Sequence, residues 1–293
     1  NSNETALGTL RVAVPARATV SGLNVTLTGN AKLEKEGAGT FTVVTANQSY
    51  TGGTEVKEGT LKVGAANIFG AAGSLVRVLP DGLLDVAGKT GFENYALELA
   101  GGRVTPSAGG ATTGNGFREV TLTADSSVPS TGNFLLVGGN VPGRLDLGGH
   151  KLSATVASGK YLYISQTQMT NGVLEGVSGG YLAFDRALVD AATVDIDINI
   201  AMRQLVPFKV RNYTARYSSN WSMSAAGVAV QGGGTFLPLG THFDNVELLD
   251  GAAYALSPQY YDEKLGFELV NTMYNDILKK NREIKRFEDF KIR

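Results

Sequence analysis

Residues 22–86 read GLNVTLTGNAKLEKEGAGTFTVVTANQSYTGGTEVKEGTLKVGAANIFGAAGSLVRVLPDGLLDV. Short runs that alternate apolar and polar residues are broken repeatedly by Gly, Asn and Asp. Leu23, Val25 and Leu27 alternate, then Phe41 and Val43, Val56, Leu61 and Val63, Val76 and Val78, Leu84 and Val86. Alternation at period two sends one row of side chains to each face of a strand. Runs of about five residues have ordinary strand length, and none can bury its own apolar row. Stacking successive turns of chain on one another buries all the rows together, which predicts a solenoid.

The composition agrees. Gly is abundant, at 38 of 293 residues, Pro is scarce at 8, and charged residues make up only 18%. The glycines have no three-residue period, which excludes collagen. A net charge of −1 provides no field that would attract nucleic acid, and nucleic acid is not an expected partner. With no Cys, disulfides, thiolate catalysis and thiolate metal sites are all excluded. No apolar run approaches the roughly 18 residues of a membrane span. The start at Asn1, without Met or an apolar leader, reads as a mature or trimmed piece of a longer chain.

Residues 27–64, LTGNAKLEKEGAGTFTVVTANQSYTGGTEVKEGTLKVG, resemble the passenger-associated, or autotransporter-associated, β-strand repeat. The resemblance rests on Lys35, Gly37, Gly39, Thr40, Phe41, Tyr50, Thr51, Gly52, Gly53, Thr54, Val56, Gly59, Thr60, Leu61 and Val63, and covers about residues 22–88. It implies a right-handed parallel β-helix in a bacterial secreted or surface protein. It also implies a repeat tied to passenger folding and secretion rather than to catalysis.

The expected fold is all-β, a single-stranded parallel β-helix over residues 1–190. Terminal coils or a β-rich cap follow over 191–262, and a short C-terminal helical tail over 263–293. Leu145-Asp146-Leu147-Gly148-Gly149 echoes Leu84-Asp85-Val86-Ala87-Gly88 and reads as the same rung about three coils later. Residues 105–117 read as a loop leaving the coil, and Asp81-Gly82 as a tight turn between two strands. In the tail, Met273, Ile277, Ile284 and Phe287 recur at helical spacing among Lys and Arg. The expected structural turn and ladder positions are Phe41, Gly52, Gly53, Gly59, Leu61, Leu84 and Leu147.

Chemistry is sparse. His150 and His242 have no ligand partner one helical turn away, and no metal, cofactor or catalytic residue is expected. Asp195 and Asp197 share a strand face with Asn199. Residues i and i+2 lie about 7 Å apart, so a hard cation would need further ligands from a neighbouring coil; otherwise this is a wet outer face. Tyr161 and Tyr163 alternate with Leu162 and Ile164. They form either an outward platform for a sugar or protein, or a stack inside a wide coil. Tyr161, Tyr163, Asp195 and Asp197 are therefore the candidate ligand-binding residues.

The leading functional reading is a non-enzymatic display rod that supports passenger folding, secretion or adhesion. Its partners would be a host-surface protein or glycan, and a neighbouring domain through the tail. It would meet a membrane only through a barrel outside this chain. Two alternatives stand: a carbohydrate-binding or polysaccharide-degrading β-helix, with Tyr161, Tyr163, Glu175, Asp185 and Arg186 gathered on one face, and an accessory module of a larger extracellular enzyme.

Overall fold

The computed structural model describes residues 8–110, 114–177, 180–185 and 187–196, and beyond them the strand segments 201–206, 208–211, 214–216, 222–223, 228–231, 235–237, 246–248 and 253–254. The strands up to residue 196 are β1 (Thr9–Ala13), β2 (Thr19–Gly22), β3 (Lys32–Glu36), β4 (Thr40–Val43), β5 (Thr54–Val63), β6 (Leu75–Asp85), β7 (Ala96–Ala100) and β8 (Arg103–Thr105), followed by β9 (Glu119–Ala124), β10 (Ser126–Ser130), β11 (Phe134–Asp146), β12 (Lys151–Val156), β13 (Tyr161–Gly176), β14 (Tyr181–Asp185) and β15 (Leu188–Ile196).

They pair in parallel, rung upon rung, as a β-solenoid. On the first face the register runs Leu10, Leu33, Thr54, Val76, Leu97, Val120, Leu145, Met169, Val189. On the second it runs Val20, Phe41, Leu61, Leu84, Val104. A third face becomes regular from β11 onward, where Phe134, Leu162, Leu182 and Met202 align. Parallel pairing continues through the segments 208–211, 228–231 and 246–248.

The core is the stack of inward rows. Leu33, Val56, Leu61, Val76, Leu84, Val104, Val120, Leu145, Leu162 and Leu174 are all fully buried. Each such side chain contributes about 1.5–3 kcal/mol of transfer free energy. A single rung could not bury both sides of its row, so the stabilisation arises only between coils.

Before the third face becomes regular, an aromatic stack fills its place. Phe92 and Phe117 stack at 4.8 Å between ring centroids, and Tyr95 meets Phe69 edge-on at 5.5 Å. Phe117 is fully buried, so the stretch expected to leave the coil re-enters it there.

Three local expectations need correction. Leu23–Leu27 is not a strand: Leu23 has a left-handed φ of 69° and Val25 is exposed. The buried Gln48 amide holds this segment instead, accepting from Leu27 N–H and donating to the Val25 carbonyl. Asp81-Gly82 is a bend inside the continuous strand β6, not a reversal between two strands. A Cβ at Gly82 would lie 2.4 Å from the Val56 carbonyl oxygen, so this glycine is required by close approach.

The two echoing phrases are not equivalent rungs either: Leu84 sits on the second face and Leu145 on the first. They share a corner. Asp85 accepts from Ala87 N–H and Asp146 from Gly148 N–H, and residues 87–88 and 148–149 all have positive φ. The repeated phrase encodes a turn that serves either face. The expected helix of 263–293 lies outside the described residues.

Candidate functional surface

The densest polar chemistry lies between β3 and β5. Alternation places Lys35 in the inward row, in register with Val12 and Val56. The side chain is fully buried. Its stem lies where Val56 and Val78 lie in later coils, and its ammonium reaches the corner. There Nζ donates to the carbonyls of Glu36 at 2.8 Å, Gly37 at 2.6 Å and Glu58 at 3.0 Å. Burial draws the ammonium below the ordinary lysine range, opposed by the Glu58 charge.

Glycines make this corner possible. Gly37 and Gly59 have φ near +70°, and a Cβ on Gly59 would lie 2.4 Å from the Gly37 carbonyl oxygen. The next corner, Tyr50-Thr51-Gly52-Gly53-Thr54, is held by a buried hydroxyl pair. Tyr50 Oη lies 2.6 Å from Thr54 Oγ1 and donates to the Ile68 carbonyl one coil on. A Cβ on Gly52 would collide with the Ala31 carbonyl oxygen, and Gly53 has φ +81°. Phe41, Leu61, Leu84 and Leu147 all lie in the core.

Outside the first face, parallel register brings Glu34 beside Glu55, a repulsive arrangement when unscreened. Lys32 bridges both carboxylates at 2.9 and 3.2 Å, and Lys57 and Arg11 reach Glu34 at 2.7 and 3.1 Å. Led by the hydrogen bond from Lys57, these cations hold the Glu34 carboxyl down at about 2. Further along, Arg77 pairs with Glu98 and Arg144 with Glu119 and Asp146. These outward charges are engaged with one another.

On the third face Leu162 and Ile164 point inward, and Tyr161 and Tyr163 lie half-buried outside them. Tyr161 stacks on Tyr181 of the next rung at 4.8 Å and 15°, and lies 5.5 Å from Tyr163. Each of the stacked rings covers one face of the other, so part of the surface a sugar would use is already occupied. Tyr181 was not singled out from the sequence; its position 20 residues after Tyr161, one rung length, was the available clue.

The structure does not gather the other candidates around these rings. Glu175 is on the second face, tied to Lys151 and Ser153, and Lys151 holds its carboxyl below the usual range. Asp195 occupies the register between Glu175 and Arg216. Asp185 ends β14 on the third face. Arg186, Asp197 and His242 lie outside the described residues. His150 faces Asp125 at 3.6 Å. Among the described residues no three His, Asp or Glu side chains are grouped to hold a metal ion.

A model of the passenger-associated-transport repeat matches residues 33–63. That span contains the Lys35 corner, the Tyr50–Thr54 pair and Gly59. The chain is also 29% identical over 179 residues to the adhesin BmaC autotransporter of Brucella suis biovar 1 (strain 1330), covering 57% of this chain and 5% of the adhesin. The passenger-associated-transport repeat within a parallel β-solenoid, together with the likeness to an autotransporter adhesin, supports an autotransporter passenger β-helix. The chain spans about 5% of the length of the adhesin it matches. No solved structure matches it. The likeness to autotransporter passengers implies a secreted or surface-exposed protein. In this chain the repeat's glycines lie at the corners of the coil and its lysine reaches one of them from β3.

Proposed function

We propose that this passenger is a non-catalytic display rod of a bacterial surface protein, supporting folding during secretion and presenting outer faces for adhesion. One observation carries the reading: the residues that make the repeat distinctive are occupied inside the coil. Lys35 is bound to three carbonyls, Tyr50 to Thr54 and Ile68, and the glycines to close backbone contacts. Their chemistry serves stacking rather than a substrate. The rod would be held at the outer membrane by a barrel outside this chain, and its partners would be host-surface proteins or glycans. Residues 263–293 would connect to a neighbouring domain.

The purified chain, immobilised on beads, is expected to bind host-cell surfaces and to leave polysaccharides intact. Hydrolysis or lyase activity on a polysaccharide panel, lost on heat unfolding, would overturn the non-catalytic reading.

A second reading, carbohydrate binding, is favoured by the outward Tyr161–Tyr163–Tyr181 cluster. Tyrosine fluorescence quenching by oligosaccharides, abolished in Tyr163→Ala, would support it. No change across a broad glycan panel would leave the tyrosines as a packing ladder.

A further inference from the structure

Lys35 stands in a row of valines and leucines, where a charge is expensive to bury. Its ammonium has three N–H donors, and three carbonyl oxygens receive them. Two of these belong to its own coil, at Glu36 and Gly37; the third, at Glu58, belongs to the next. No carboxylate lies within ion-pairing distance of it among the described residues, so backbone carbonyls receive its hydrogen bonds and the Glu58 charge favours it only from farther away. Around it, Val14 N–H donates to the Glu36 carbonyl, Gly39 N–H to the Val14 carbonyl and Thr60 N–H to the Gly39 carbonyl. The ammonium thus lies at the centre of a knot of corner hydrogen bonds joining three coils.

We propose that Lys35 is a latch between the coils of the passenger repeat, clamping the corner at residues 36–39 to the corner at 58–60 and setting their register. The latch gives the spacing of Lys35, Gly37, Gly39 and Gly59 a single physical cause. The lysine supplies the donors, and the glycines let the carbonyls approach it and one another. A valine here would fill the row, as Val56 and Val78 do, and leave the Gly37 and Glu58 carbonyls without this donor. The inference deepens the display-rod reading by naming the residue that locks its repeat, and the two fail separately: adhesion can be absent while the latch is intact.

Amide hydrogen exchange on the full chain tests it, comparing wild type with Lys35→Met and Lys35→Val. Gly39 and Thr60 amides are expected to exchange about tenfold faster in both variants, while β7 and β9 amides stay within about twofold of wild type. Unchanged corner exchange, or acceleration spread evenly over all strands, would show that Lys35 is only a space-filler. Wild type alone provides a second test should the variants not fold. A ¹⁵N-lysine spectrum is expected to show one ammonium with slowly exchanging protons, and its absence would refute the latch.

Discussion

Thr54 Oγ1 lies 2.6 Å from Tyr50 Oη, and the phenol donates onward to the Ile68 carbonyl. Both residues are buried, so their hydroxyls have no water to turn to. Tyr50→Phe keeps the ring and leaves Thr54 and the Ile68 carbonyl unpaired. The expected loss is about 1–3 kcal/mol, read from urea unfolding. Burial also pushes the Tyr50 phenol above the ordinary tyrosine range. In alkaline difference spectra it should stay un-ionised while exposed tyrosines titrate.

Glu34 is expected to contribute to the acid dependence of stability. Its carboxyl is held at about 2 in the fold, against an ordinary 4.5. The unfolded chain therefore binds the extra proton between those values. The stabilisation is complete above about pH 5 and is lost as the pH falls toward 2. Glu34→Gln should be less stable at pH 7 by on the order of 1–2 kcal/mol, after allowing for the solvent-screened lysines. It should also show a flatter decline between pH 5 and pH 2. Parallel wild-type and variant curves over that interval would assign the acid sensitivity to another group.

Gly59 and Gly73 separate steric need from backbone need. Both have positive φ, +68° and +88°, yet a Cβ at Gly73 meets nothing and one at Gly59 meets the Gly37 and Gly39 carbonyls at 2.4 and 2.5 Å. Gly73→Ala should cost about 1–2 kcal/mol, the left-handed penalty alone. Gly59→Ala should cost at least about 2 kcal/mol more, because backbone must move. Equal losses in thermal unfolding would mean the corner can open without strain.

Phe117 is stacked on Phe92 at 4.8 Å and 14°, with Phe69 at 6.3 Å. Phe117→Ala should destabilise by about 3–5 kcal/mol through lost burial and a cavity. Phe117→Leu should recover more than half of that loss. A denaturation midpoint unaffected by either change would show that the irregular part of the third face is not integral to the fold.

The alternation of Phe41, Val43, Leu61, Val63, Val76, Val78 and Leu84, broken by Gly at regular distances, was sufficient to indicate an all-β parallel solenoid. Period-two burial and rung length are local properties, and each rung repeats them. The repeat was legible for the same reason, because Lys35, Tyr50 and Gly59 stand close together along one short stretch of chain. Which face a rung joins was not local. Leu84-Asp85 and Leu145-Asp146 encode the same turn yet lie on different faces, since the face depends on how many residues the preceding corners consume. Only the stacked coils revealed that Lys35 points inward to three carbonyls, that Glu34 and Glu55 are neighbours shared by two lysines, and that Tyr161 stacks on Tyr181. Each of these arrangements depends on residues 20–23 positions apart, Lys35 with Glu58, Lys57 with Glu34 and Tyr161 with Tyr181, so it is completed only once one coil lies on another.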